Sequence, residues 1–224
     1  MEYETAWEIQ RQAFQLRQEE LISDLLLLVE HPPVYTLGTA SDEDHLLIGE
    51  HDLRRARAGL YHVERGGDVT FHGPGQIVGY PILDLTNHYQ DLHRYLRDLE
   101  ETILRTIGRF GIQGERDNSY TGVWVSGEKI AAIGVKVKRW VTMHGFALNV
   151  NTDLSYFDSI IPCGIFHKGV TSMKHILGHE ADFAHVREEL LHQFAGVFSA
   201  ATPVISKEAF LSNLASLDHH PQTL

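Results

Sequence analysis

One cysteine in 224 residues excludes an internal disulfide, so this chain must be held together by apolar burial, and a reduced thiol suits a reducing compartment. No apolar stretch approaches the roughly 18 residues of a membrane span, and the run Leu25 to Val29 has only the length of a strand. The opening Met1-Glu2-Tyr3-Glu4 is acidic and lacks the basic and apolar regions of an export signal. Neither a Gly-x-x-x-x-Gly-Lys-Ser/Thr loop nor a Gly-x-Gly-x-x-Gly fingerprint occurs, so the two common nucleotide cradles are missing. Positive charge is scarce as well. With 19 Lys and Arg against 30 Asp and Glu, the formal net charge of −11 argues against a nucleic-acid binder, which needs a positive face toward the phosphates. The expectation left by these absences is a cytoplasmic globular protein.

What is present fits one domain over 1–217 with a frayed tail over 218–224, since 43% of the residues are hydrophobic and no low-complexity linker, repeat or boundary interrupts them. Ala6, Ile9, Ala13 and Leu16 predict a helix, and Leu25 to Val29 a buried strand stopped by His31-Pro32-Pro33. A short helix over Asp52 to Ala58 is expected to end at Gly59, followed by strands over Leu60 to Glu64 and Gln76 to Leu85. Leu92, Leu96, Leu99, Ile103, Ile107 and Phe110 mark the core face of a long helix stopped by Gly111. Val123 to Val125, Ile130 to Val137 and Met143 to Val150 read as a meander, with Trp124 and Trp140 in its core. A second amphipathic helix is expected over Asp182 to Phe198, and a weak one over Ser206 to Leu217. Helices in blocks apart from adjacent strands indicate an α+β fold.

Two features carry chemistry. The run Arg65-Gly66-Gly67-Asp68-Val69-Thr70-Phe71-His72-Gly73-Pro74-Gly75-Gln76 lets backbone amides approach a ligand closely and sets polar side chains beside them. The lone Cys163, between Pro162 and Gly164, is a candidate nucleophile. A thiol with an ordinary pKa of about 8.5 needs a partner to make it a thiolate, and histidine and lysine both qualify; sequence spacing does not choose between them. Between Lys129 and Lys174 six basic residues stand against two acidic ones, a positive segment in an acidic chain that reads either as a solvated face or as a docking patch for an acidic partner. His167, His175, His179 and His185 have no second cysteine or carboxylate cluster beside them, and no metal is expected.

The glycine run, followed by Gly127-Glu128-Lys129-Ile130-Ala131-Ala132-Ile133-Gly134-Val135, by His144-Gly145-Phe146-Ala147-Leu148-Asn149 and by Pro162-Cys163-Gly164-Ile165, resembles the lipoyl-domain octanoyltransferases. These four blocks, in that order, cover most of residues 20 to 200. The resemblance implies a fold like the catalytic domains of biotin and lipoate ligases, with one larger and one smaller mixed β-sheet and flanking helices. It implies that Cys163 takes an octanoyl group from octanoyl-acyl carrier protein as a thioester, with Lys129 lowering the thiol pKa and moving protons. The acceptors it implies are lipoyl domains of 2-oxoacid dehydrogenase E2 subunits and the glycine cleavage H protein, with no cofactor. The implied acyl pocket is lined by Arg65, Gly66, Gly67, Asp68, Val69, Thr70, Phe71 and His72, by Ala132, Ile133 and Gly134, and by Gly145, Phe146 and Ala147. Asp68 stands where the resemblance leads to a polar amide, and His72 is either a pocket-wall or orienting residue or a base rivalling Lys129. A slot that buries roughly six methylenes contributes on the order of 5 kcal/mol, enough to favour octanoyl over very short acyl groups.

Overall fold

A computed structural model describes residues 1–161, 169–201 and 203–218, so Cys163, Lys168 and the segment 219–224 lie outside the described residues. Strands β1 (Leu25–Val29), β5 (Gln76–Ile82), β6 (Glu115–Arg116), β7 (Val123–Val125), β8 (Glu128–Lys138) and β9 (Val141–Asn149) form the larger sheet in the order β1-β5-β9-β8-β7-β6. Every pairing in it is antiparallel. The smaller sheet, β3 (Gly59–His62), β2 (Val34–Leu37) and β4 (Val69–His72), pairs β2 parallel to β3 and antiparallel to β4, so mixed pairing is confined to it.

The expected meander is β7, β8 and β9. Its first turn puts Ser126 and Gly127 in the left-handed region (φ 51° and 82°), as a tight two-residue hairpin requires. The second turn does the same with Arg139 and Trp140 (φ 53° and 64°), which moves Trp140 to the hairpin tip, 37% exposed, whereas Trp124 is buried as expected. Helix α3 (Leu92–Gly108) buries Tyr95, Leu99, Ile103 and Ile107 completely, worth about 2 kcal/mol for each side chain. Leu92, expected on that face, is exposed because Asp91 caps the helix there and its first turn projects beyond the core. Helix α5 (Phe183–Phe198), capped by Asp182, packs Val186, Leu190 and Phe194 into the same core, so α3 and α5 cover one face of the larger sheet.

Helix α1 (Tyr3–Gln18) covers the other face, with Ala6 against Val78, Tyr80 and Ala147, and with Ala13 and Phe14 against Ile82 and Met143. β1 is half-buried, not buried, since it is an edge strand. Helix α2 (Glu50–Ala56) is capped by Arg57 in the left-handed region, and Gly59 opens β3 instead of ending the helix. The strand expected over Gln76 to Leu85 ends at Ile82, and Leu85 begins a 3-10 turn capped by Asp84. β2 and the short α4 (Met173–Leu177) had no expectation behind them. α6 (Lys207–Asp218) closes the described chain.

Candidate active site

Between the two sheets lies a solvent-open cavity. Its floor is the α1-side face of β5, β9 and β8, where strand alternation sends every second side chain to one side. Read along the strands, the floor has three rungs. Gln76 faces Asn149; two residues on, Val78 faces Ala147, which faces Ala132; two further on, Gly145 faces Gly134 beside Tyr80. The roof is the glycine run. Gly66 N donates to Val135 O at 2.9 Å, and a Cβ on Gly134 would stand 2.8 Å from Gly66 O, so only glycine lets the run lie this close to β8.

Thirteen of the expected pocket residues border this one cavity: Arg65, Gly66, Gly67, Asp68, Val69, Thr70 and His72, then Ala132, Ile133, Gly134, Gly145, Phe146 and Ala147. Lys129 borders it too. The side chains of Ile133 and Phe146 nevertheless pack toward the main core, and that of Val69 joins the second core under the smaller sheet. Phe71 does not border the cavity. Alternation along β4 turns its ring to the opposite face, where it stacks on Tyr156 with centroids 4.5 Å apart and meets Tyr35 and Phe157. Cys163 lies outside the described residues.

Lys129 is only 7% exposed. Its backbone N donates to Gly169 O at 2.9 Å and its carbonyl accepts from Thr171 N at 3.0 Å, so the chain emerging from 162–168 is joined to the lysine on both sides. Its Nζ lies 4.7 Å from the ring centroid of Trp124, its cross-strand partner, a cation–π geometry. Gln76, Asn149 and Thr121, which also border this end, were not among the expected pocket residues, although the first two stand inside the conspicuous motifs.

The buried amides form a relay. Gln76 Nε2 donates to Phe71 O (3.2 Å) and to Asn149 Oδ1 (2.8 Å), and Asn149 Nδ2 donates to Thr171 O (3.1 Å). Gln76 Oε1 is thereby left to accept from His72 Nδ1 at 2.8 Å, which fixes the proton of His72 on Nδ1 and leaves Nε2 an acceptor. Burial first, and the neighbouring His31 second, hold the His72 imidazole down to about 3, so it is neutral at pH 7. A neutral orienting group fits that value better than a general base.

Beside His72, Tyr80 OH donates to His31 Nε2 and His31 Nδ1 donates to Met1 O, both at 2.8 Å. Burial holds His31 down to about 4 and raises the Tyr3 and Tyr80 phenols above their ordinary range. Tyr3, another residue sequence reasoning missed, stacks on His72 with centroids 6.1 Å apart. No periodicity signals it as a ligand neighbour, because it sits on the buried face of α1.

Two other polar side chains of the glycine run are buried against the smaller sheet and its loops. Arg65 Nη2 donates to Thr36 O at 2.7 Å and to its Oγ1 at 2.9 Å, which ties the run to β2. Asp68 accepts from Val69 N at 2.7 Å and pairs with His45 Nδ1 at 2.5 Å. His45 O in turn accepts from Ile161 N at 2.8 Å, at the near flank of the cysteine segment. Among the described residues no group of His, Cys, Asp or Glu has the geometry to hold a metal, and no helix is long and apolar enough to cross a membrane.

The described basic residues of the segment are spread along the larger sheet. Lys138 pairs with Val141 at the start of β9, whereas Lys174 N bonds Val150 O just past its other end, nine residues or about 30 Å away. Lys136 is paired with Glu64 at 3.3 Å and Lys174 with Glu180 at 2.8 Å.

Comparison with known proteins agrees with this architecture. Residues 2–195 match the lipoyl protein ligase A/B catalytic domain. The octanoyltransferase of Rubrobacter xylanophilus is 53% identical over 197 residues, covering 87% of this chain and 88% of its own. That of Caldicellulosiruptor saccharolyticus is 47% identical over 210 residues, covering 93% and 89%. Among solved structures, a bipartite lipoate protein ligase from Thermoplasma acidophilum, described with its E2 lipoyl domain, superposes with a TM-score of 0.70 over 93% of this chain and 86% of that one. At 13% identity that likeness establishes the fold alone. On the family match and the close relatives, the chain belongs to the lipoyl protein ligase A/B catalytic-domain family and, within it, to the octanoyltransferases.

Proposed function

We propose that this acyltransferase moves an octanoyl group from octanoyl-acyl carrier protein to a specific lysine of lipoyl domains, those of 2-oxoacid dehydrogenase E2 subunits and the glycine cleavage H protein, through a thioester on Cys163. The observation that carries the reading is the bonding of Lys129 to Gly169 and Thr171 at the polar end of the slot, with Cys163 six residues before Gly169 in sequence. The ammonium of Lys129 stabilises a nearby thiolate by Coulomb attraction. The thiolate attacks the donor carbonyl, the C–S bond to the carrier breaks, and the Lys129 ammonium gives its proton to the carrier sulfur, which leaves as a thiol. The acceptor amine then attacks the acyl-cysteine, its proton passes to the neutral amine of Lys129, and Cys163 leaves as thiolate. A thioester has become an amide, so no nucleotide is needed.

Intact mass after incubation with octanoyl-acyl carrier protein, without ATP, tests this. The expected result is one octanoyl adduct, labile to hydroxylamine and absent from Cys163→Ala. ATP-dependent lipoylation that survives Cys163→Ala would instead make the protein a ligase, an activity named for its fold neighbours.

A further inference from the structure

The three rungs of the slot differ in chemistry, and the difference sets a length. The first, Gln76 with Asn149, is polar and leads through Thr171 to Lys129. The second, Val78 with Ala147 and Ala132, is apolar and small. The third contributes two glycines, Gly134 and Gly145, and one large side chain, Tyr80. A Cβ on Gly145 would stand 2.2 Å from Gly79 O and 2.6 Å from Pro81 Cδ, on either side of Tyr80, so backbone packs tightly against backbone there. Above, Gly66 O and the Arg65 side chain close over Gly134.

From these contacts we infer that Tyr80, flanked by Tyr3 and braced by His31, is the stop that limits the acyl chain to medium length. The inference rests on the transferase reading for the position of the carbonyl, and on the rungs for everything else. Tyr80 stands four residues beyond Gln76 on the same face of β5, about 13 Å along the strand. An extended eight-carbon acyl chain is about 9 Å long on standard bond geometry, so with its carbonyl at the first rung its methyl end passes the second and meets the ring at the third. Two to four further carbons would need the volume that Tyr80 fills. The ring cannot swing aside cheaply, because its hydroxyl donates to His31 Nε2, and His31 is held in turn by Met1 O. Tyr3 and His31 pack with ring centroids 5.2 Å apart, and His31 lies 5.9 Å from the Tyr80 ring, which further restrains it.

The test offers the full chain an equimolar mixture of hexanoyl-, octanoyl-, decanoyl- and dodecanoyl-acyl carrier protein with a lipoyl-domain acceptor, and resolves the products by mass. The wild type is expected to favour octanoyl over dodecanoyl by about tenfold or more, and Tyr80→Val to raise the dodecanoyl-to-octanoyl ratio by a similar factor. Tyr80→Phe, which keeps the ring, retains octanoyl as the preferred chain. Ala147→Leu, which narrows the second rung, moves the preference to hexanoyl; it supplies an answer if Tyr80→Val does not fold. A folded Tyr80→Val with the wild-type profile, or a wild type that takes dodecanoyl as readily as octanoyl, overturns the inference. A wild type that transfers no chain at all counts against the transferase reading alone; calorimetric binding of free octanoate and dodecanoate to the same variants then decides the stop.

Discussion

Acidification from pH 7 to pH 5 should cost this protein about 4 kcal/mol of stability through two buried histidines alone. His31 and His72 have folded-state values of about 4 and about 3, against an ordinary 6.5, because burial penalises their charged forms. Both values are lowered, so the fold favours the neutral imidazoles. Their contribution is fully present above pH 6.5, is lost as the pH falls below it, and is exhausted only near the folded values. At pH 5 the unfolded chain has gained about 1.5 units of protonation free energy that the folded chain has not, or about 2 kcal/mol for each histidine. Their sum is a large fraction of the 5–15 kcal/mol that ordinarily separates folded from unfolded. The carboxylates held below their ordinary values, such as Asp24 and Glu101, titrate in a lower window and leave this one to histidine. His144, also pushed down by burial, adds in the same direction, so the comparison must be made between variants. Urea unfolding at pH 7, 6 and 5 should show wild type losing about 4 kcal/mol or more, and His31→Gln and His72→Gln each losing about 2 kcal/mol less than wild type over the same interval. Equal losses in wild type and both variants would refute the reasoning.

Two further predictions concern close approaches around the slot. Gly145→Ala pushes a Cβ to within 2.2 Å of Gly79 O inside the central ladder, and should destabilise by about 3 kcal/mol on urea unfolding. Gly134→Ala meets Gly66 O at 2.8 Å, where the partner is a loop; it should lose less stability, about 1 kcal/mol, and more octanoyl transfer, as the roof lifts from β8. Asp68→Ala removes the acceptor of Val69 N and of His45, and should cost about 2 kcal/mol in urea midpoint, with Asp68→Asn, which keeps an acceptor, costing less. A slower rate of Cys163 acylation in Asp68→Ala, measured by intact mass, would follow from loosening His45 and with it Ile161.

Much of the fold was legible because its elements keep one period over many residues. α3 and α5 show apolar side chains at helical spacing, and β7 to β9 are rich in β-branched residues with a Ser-Gly turn between the first two. What escaped was set by neighbours. Val34 to Leu37 is four residues long, too short for alternation to show, and becomes a strand through β3 and β4. Trp140 reads as core until two left-handed residues put it on a hairpin tip. In the site, the glycine run was conspicuous, yet which of its side chains face the cavity depended on where β4 begins. With Val69 as the first strand residue, Thr70 and His72 face inward and Phe71 faces away. Tyr3 and Tyr80 were illegible as pocket residues, because a buried tyrosine in a helix or strand looks like any other core aromatic.

The slot joins its two jobs through the paired amides of Gln76 and Asn149. An apolar channel alone would bind an acyl chain but would leave the reacting end undefined. Here the Gln76 and Asn149 amides are buried beside that channel, and burying them without partners would cost about 1 to 3 kcal/mol for each unmet group. The Gln76 amide hydrogens reach Phe71 O and Asn149, its oxygen takes the His72 proton, and Asn149 reaches Thr171. The relay therefore connects the wall of the acyl slot to the backbone that pairs with Lys129. A shift of β9 by one residue would bring Leu148 or Val150 to the position of Asn149, orphan the Gln76 amide and free the segment beside Lys129. The register that builds the length of the slot is thus the same register that fixes its reactive end.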